Sequence, residues 1–268
     1  MLSRLEAGAL SDNRVCFGDI EEDLRELLRD FGWKETRGYH PEYPFHYLRS
    51  SGFWDYSLPE SLRSDRPSAS TLREGGAVGA LDPGLFALLK GEAGARRAAV
   101  AHLLDRYWPK SYHNDICGRL GLPAAGGGAG LAAEADRKRS AQFAVEVIRA
   151  YEFACAFCGF KATFGGPGFG LDAAHVRWFT SDGPDAIENG LCLCKLHHWA
   201  FDRGAIGLTD DHRIQVSQTL DVNDSARGLF VPLSGADLRA PQGGYPRPAK
   251  PYVGWHQENV FRGPARRF

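Results

Sequence analysis

Four residues constrain this chain more than any others. Cys155-Ala156-Phe157-Cys158 and Cys194-Lys195-Leu196-His197 form a C-x2-C plus C-x2-H set. These soft sulfur and imidazole ligands are what a closed tetrahedral zinc site requires. Such a site contributes on the order of 10 kcal/mol to folding, so the module that holds it is expected to unfold when the metal is stripped. Cys192 competes with Cys194, but only Cys194 stands at the x2 spacing from His197, and Cys192 reads as a small buried hydrophobe.

A second set remains beside the zinc ligands: His175, Asn189, His198 and Asp202. An imidazole free of metal takes a proton from water near neutral pH, while a second imidazole and a carboxylate hold a divalent cation against a phosphate. These are the residue types that metal-assisted phosphodiester cleavage needs. His198 and Asp202 are four apart and share a face on a helix. His175 follows the apolar run Phe169 to Ala174, which reads as a strand approaching that helix. Glu134 to Tyr151 has helical apolar spacing through Phe143, Val147, Ile148 and Tyr151, and Gly204 to Leu208 and Ile214 to Val216 read as further strands.

This order over roughly residues 150 to 208 resembles the HNH, or ββα-metal, nuclease family. The resemblance implies that His175 is the general base, that Asn189 fixes the loop and orients the base, and that His198 and Asp202 hold the catalytic cation. Asn189-Gly190-Leu191-Cys192-Leu193-Cys194 matches the place where zinc-stapled members carry their second C-x2-C, with His197 in place of the last cysteine. Many members set an acid or histidine immediately before the base, where this chain has Ala174. Asp172-Ala173-Ala174-His175 resembles instead a restriction-associated subfamily with an acid three positions upstream, which makes Asp172 a candidate cation ligand. Strand alternation puts Asp172 and His175 on opposite faces, so both would reach one ion only across a bulge. A zinc ribbon used for binding alone is the bland alternative for the cysteines.

Composition narrows the setting. The 268 residues are 43% hydrophobic and 12% aromatic, ample for packed cores in two domains. No apolar run reaches membrane-spanning length, and Met1 to Leu10 lacks the form of a secretory signal. Six cysteines, three in the zinc set and Cys16, Cys117 and Cys192 scattered, make no disulfide framework, and a reducing cytoplasm is expected. The formal charge is −1, with 16 basic against 18 acidic residues up to Pro123 and 16 against 15 after it. Nucleic-acid affinity therefore needs a local patch, for which Arg137, Lys138, Arg139, Arg149, Arg177 and Arg203 are the candidates; a run like Arg137-Lys138-Arg139 alone reads as a solvated helix face.

The stretch Ala124 to Gly130 offers no side chains to bury and reads as a flexible linker. The expected division is a domain over 1–123, a linker over 124–133 and a domain over 134–268, in which the Pro-, Gly- and aromatic-rich tail from Gly243 packs back through Trp255 and Phe261. The ending Trp255-His256-Gln257-Glu258-Asn259-Val260-Phe261-Arg262-Gly263-Pro264 resembles the tail that follows this HNH subfamily.

In the first domain, Glu21 to Phe31 is an amphipathic helix with Leu24, Leu27, Leu28 and Phe31 on one face and Asp19 as its expected cap. Helical stretches over Pro83 to Leu89 and Ala95 to Arg106 follow. The leucine-rich helix ending in Phe31-Gly32, Pro41 to Leu48, Gly52-Phe53-Trp54 and the aromatic-proline element before His113 together resemble the sulfur-binding domain of restriction endonucleases that cut phosphorothioate DNA. Sulfur in place of a nonbridging phosphate oxygen is larger, more polarizable and less hydrated, so a cup of aromatic edges and a proline ring favours it. Tyr107, Trp108, Pro109 and Tyr112 are the candidates for that cup, and His113, Arg37 and His40 for phosphate or base contacts. Aromatics and prolines of this kind also serve as core. Members commonly carry upstream a helix opening with Pro-His-Lys/Arg-Pro. Met1-Leu2-Ser3-Arg4-Leu5 resembles the end of that helix, as in a shortened start or a member built without it.

The expectation is an α+β chain: a mixed DNA-reading domain joined by a Gly/Ala linker to a zinc-stapled ββα-metal nuclease domain. Its expected cofactors are a structural Zn²⁺ and a catalytic Mg²⁺, Mn²⁺ or Ni²⁺, and its expected partner is double-stranded DNA bearing phosphorothioates. A homodimer would suit double-strand cutting. The alternatives are an HNH nuclease of unmodified DNA and a catalytically idle nucleic-acid-binding protein.

Overall fold

The computed structural model describes residues 1–32, 38–123, 134–163 and 169–267, and for 134–140 the backbone alone. Arg37, the linker expected over 124–133 and the side chains of Arg137, Lys138 and Arg139 lie outside the described residues. The chain forms two compact bodies, Met1–Asp105 with Tyr112–Gly130 and Arg106–Ser111 with Leu131–Phe268.

In the first body, α1 (Leu2–Glu6), β1 (Val15–Cys16), α2 (Glu21–Phe31), α3 (Glu42–Tyr47), β2 (Trp54–Ser57), α4 (Ala69–Glu74), β3 (Val78–Leu81) and α5 (Pro83–Gly91) follow in order. They are succeeded by α6 (Ala93–Tyr107) and α7 (Lys110–Leu120). The three strands make one antiparallel sheet in the order β1-β3-β2. Its core is Phe17, Phe45, Trp54, Leu72 and Leu81. The aromatic motif read from sequence is largely structural here. Phe45 packs edge-on against Phe17 and Trp54, and the Trp54 Nε1–H donates to the Phe45 carbonyl at 2.8 Å. Gly79 lets this happen, since a Cβ there would lie 2.2 Å from the Trp54 ring. Pro44 falls in the first turn of α3, where a missing N–H costs the helix nothing.

Helix α2 spans the residues expected of it, but Asp19 does not cap it. Asp19 ends a 3₁₀ turn over Phe17–Asp19, and Ile20 takes the cap position with no side-chain bond. The acids Glu21, Glu22 and Asp23 fill the first turn instead and meet the positive end of the helix dipole. Asp82 does cap α5, accepting from the Leu85 N–H at 2.9 Å. Helix α7 is new relative to the sequence reading, in which Tyr107 to His113 was a closing aromatic element.

The second body holds α8 (Glu134–Ala150), β4 (Leu171–His175), β5 (Gly190–Cys194), α9 (Lys195–Asp202), β6 (Ile206–Leu208), β7 (Ile214–Val216), α10 (Asp224–Phe230) and α11 (Lys250–Asn259). β4 and β5 pair antiparallel from Leu171 with Cys194 to His175 with Gly190, and β6 pairs with β7. Phe143, Val147 and Ala150 of α8 are buried against this hairpin. Gly190 sets how close the helix comes, because a Cβ there would meet Val147 Cγ2 at 2.4 Å. The tail packs back as expected. The His256 ring lies flat on Phe201 at 3.8 Å between centroids, and Trp255 meets Trp178 edge-on at 5.8 Å. Among the described residues no helix is long and apolar enough to cross a membrane.

Candidate active site and zinc staple

The zinc set assembles as its spacing predicts. Cys155 and Cys158 stand on the turn after α8, Cys194 ends β5, and His197 lies in the first turn of α9. Their ligand atoms all lie within 4.8 Å of one another. The His197 Nδ1 faces Cys194 Sγ at 3.2 Å and Cys155 Sγ at 3.7 Å, while Nε2 faces the Leu229 carbonyl at 3.0 Å. That carbonyl fixes Nδ1 as the ligand atom, the outer-shell arrangement that metal-bound histidines use. A hydrogen bond from Cys194, working against burial, and another from His197 hold the Cys155 thiol well below the ordinary thiol range. Burial instead pushes Cys192 up to about 12, and its side chain is fully enclosed. Geometry separates the ligand from its neighbour, since Cys194 and not Cys192 brings its sulfur among the other three ligand atoms, and the four residues present fit Zn²⁺.

The second set is built on the same hairpin and helix. His175 closes β4, its ring stacked on Phe143 at 4.2 Å and tilted against Phe179 at 5.9 Å. Its Nε2 lies 2.7 Å from Asp185 Oδ1. Burial lowers the His175 pKa, and Asp185 offsets part of that effect. A neutral imidazole near pH 7 is the state that a general base needs.

Asn189 is fully buried and clamps the loop that leaves His175. Its Oδ1 accepts from the Arg177 N–H at 2.8 Å, and its Nδ2 donates to the carbonyls of Arg177 at 3.0 Å and Pro184 at 2.9 Å. Gly183 allows the loop to close so tightly, since a Cβ there would lie 1.8 Å from the Arg177 carbonyl oxygen.

His198 stands between two carboxylates. Its Nδ1 is 3.1 Å from Asp172 Oδ2 and its Nε2 is 3.3 Å from Asp202 Oδ2, one helical turn on. Burial disfavours a charge on His198, but Asp202 and then Asp172 outweigh it and raise its pKa. Asp202 is itself almost fully enclosed, and burial pushes its carboxyl up against the pull of His198 and of the Ser111 hydroxyl, which donates to it at 2.5 Å within the same body. Asp172 reaches His198 from a regular strand, with no bulge to bring Asp172 and His175 to one face. Lys195 also holds Asp172, at 2.6 Å.

Oxygen, nitrogen and oxygen donors of this kind suit a hard or borderline divalent cation. They do not converge as the zinc ligands do. Among the described residues, the Cys/His set is the one group of three or more such side chains with all ligand atoms within 4.8 Å.

The expected DNA-reading residues are more scattered in character. Tyr112, 4% exposed and edge-on to Phe31, and His113, 9% exposed, are buried. Tyr107 is the exposed member of the cup at 53%, with Trp108 and Pro109 half-buried. His40 stacks on Tyr43 at 4.6 Å and its Nδ1 is 3.0 Å from Glu42. Of the patch arginines, the Arg177 Nε donates to the Ser181 carbonyl and Arg203 lies over the Trp199 ring at 4.8 Å, so both guanidiniums serve the local fold. Sequence reading missed Asp185 and Ser111. An acid inside a Gly-Pro-Asp turn four residues before the loop asparagine was the available signal for the first; no pattern pointed to the second.

Comparison with known proteins gives two separate matches. Residues 2–125 match the family model of the ScoMcrA-like DNA sulfur-binding domain, and residues 155–209 match that of an HNH endonuclease. One solved structure with likeness to the chain is the modification-dependent TagI restriction endonuclease, 25% identical over 44% of this chain and 36% of that one, with a TM-score of 0.32. Another is the sulfur-binding domain of SprMcrA complexed with phosphorothioated DNA, 23% identical over 45% of this chain and 75% of that one, with a TM-score of 0.36. Scores this low carry no argument about the fold, and the chain spans about a third of the TagI length. No curated protein matches. The chain thus carries a region matching the ScoMcrA-like DNA sulfur-binding domain model and, after it, a region matching the HNH endonuclease model, the second of which contains the zinc set and the ββα hairpin and helix.

Proposed function

We propose that the protein is a modification-dependent restriction endonuclease that binds phosphorothioate-bearing duplex DNA through its first domain and hydrolyses a phosphodiester bond at its HNH site. The observation that carries this reading is the presence in one chain of a sulfur-binding family match and, after it, an HNH match.

His175 is the general base. It takes a proton from water, the water oxygen bonds to phosphorus, and the bond from phosphorus to one sugar oxygen breaks, that oxygen leaving with a proton from solvent. Asn189 keeps the loop beside the base in one conformation. His198 and Asp202, with Asp172 beside them, would hold a divalent cation such as Mg²⁺, Mn²⁺ or Ni²⁺, which when bound supplies positive charge to the phosphate and the leaving oxygen. Both His198 nitrogens face carboxylates, so a bound cation would compete with these hydrogen bonds for the same side chains. Tyr107, Trp108, Pro109, Tyr112, His113, Arg37 and His40 are the proposed DNA-reading residues, of which Tyr107 offers the most exposed aromatic surface.

The test compares phosphorothioate-modified with ordinary duplexes of one sequence, in gel shift and in nicking with each cation, at a stated salt concentration. Tighter binding and cleavage of modified DNA are expected. Equal cleavage of both substrates points to a nuclease of unmodified DNA, and binding without nicking in any cation points to an idle HNH domain.

A further inference from the structure

The loop that Asn189 clamps ends on an acid with no role so far. Asn189 Nδ2 holds the Pro184 carbonyl at 2.9 Å, and Asp185 is the next residue. Its carboxylate lies 2.7 Å from the His175 Nε2, and both side chains are 19% exposed. On its other side the imidazole is pinned flat by Phe143 at 4.2 Å and 17°. The stacking sets the plane of the ring, and the contact with Asp185 sets Nε2 toward the acid. His175 makes no other polar contact among the described residues, so its Nδ1 is left without a protein partner.

A carboxylate accepts hydrogen bonds and cannot donate one, so it draws the imidazole proton onto Nε2. The lone pair is then on Nδ1, the nitrogen with no protein partner among the described residues. We propose that Asp185 is the positioning residue of the HNH base: it selects the Nε2–H tautomer of His175, aims Nδ1 at the attacking water, and stabilises the imidazolium once the proton has moved. The proposal rests on the reading of His175 as general base. It also gives Asn189 a definite task, because the same buried amide that closes the loop sets where Asp185 stands. The proton balance is simple: one proton passes from water to Nδ1, the Nε2 proton stays with the ring, and Asp185 remains ionised. The relation parallels the acid-oriented histidine of serine proteases, where acid-to-amide replacement leaves the geometry but selects the wrong tautomer at a cost of roughly 10⁴ in turnover.

Asp185→Asn tests it in the full-length protein under single-turnover nicking. An amide that donates to Nε2 moves the ring proton to Nδ1, and the cleavage rate is expected to fall on the order of 10²- to 10⁴-fold, with DNA binding and melting temperature unchanged. Asp185→Glu is expected to recover part of the rate. Asp185→Ala is expected to shift the acidic limb of the pH–rate profile to lower pH, because the imidazolium has lost its counter-charge; a merely structural residue would not move that limb. Imidazole ¹⁵N spectra of the unsubstituted protein add a readout that does not depend on any variant folding, with Nε2 protonated and Nδ1 free. Near-normal cleavage by Asp185→Asn alongside an inactive His175→Ala, or spectra with the proton on Nδ1, overturns the role of Asp185 alone. Full-rate cleavage by His175→Ala overturns the base assignment and this proposal with it.

Discussion

The role of His256 comes from burial. It is fully enclosed, stacked on Phe201, with Nε2 against the Phe201 carbonyl and Nδ1 without a partner among the described residues. Burial lowers its pKa to about 4 from 6.5. The unfolded chain binds this proton more tightly than the folded one between those values, so stability is complete above about pH 6.5 and is lost as pH falls toward 4. The loss amounts to roughly 3 kcal/mol. Denaturant melts from pH 7.5 to 4 should show this slope, and His256→Gln should flatten it; an unchanged slope in the variant would remove His256 as its source.

Elements of secondary structure were legible wherever periodicity or a fixed spacing marked them. α2 follows from its leucine face, and α8 ends within a residue of its expected limit. α7 was missed because Trp108-Pro109 reads as a break, while the proline only precedes the helix start at Lys110. The loop between His175 and Asn189 carries no period at all, so the position of Asp185 could come only from three-dimensional closure through Gly183 and Asn189. At this scale the zinc staple joins the turn after α8 to the end of β5 and the start of α9. Metal analysis should find one Zn²⁺ per chain. Cys194→Ala should lose the metal and unfold the second body, since such a site is worth on the order of 10 kcal/mol. Cys192→Ala should keep it while losing only packing. Zinc retained by the first variant and lost by the second would exchange their roles.

For the whole molecule, sequence and comparison agree on the order of the two functions along the chain, a sulfur-binding match first and an HNH match second. The near-neutral balance of the chain means that the proposed affinity for DNA has to come from a local patch and not from the net charge. Resemblance made the first domain legible only as a type. Which of its aromatics are core was a matter of packing, and Phe45, Trp54 and Tyr112 proved to be buried while Tyr107 did not. Recognition and cleavage should therefore separate cleanly when a residue of the second body alone is changed.

The most direct measurement is a paired gel shift and single-turnover cleavage of a phosphorothioate duplex by the His175→Ala protein, beside the unsubstituted one, at one salt concentration. The account predicts equal binding and a cleavage rate lower by on the order of 10²- to 10⁴-fold. Cleavage at the unsubstituted rate would contradict it.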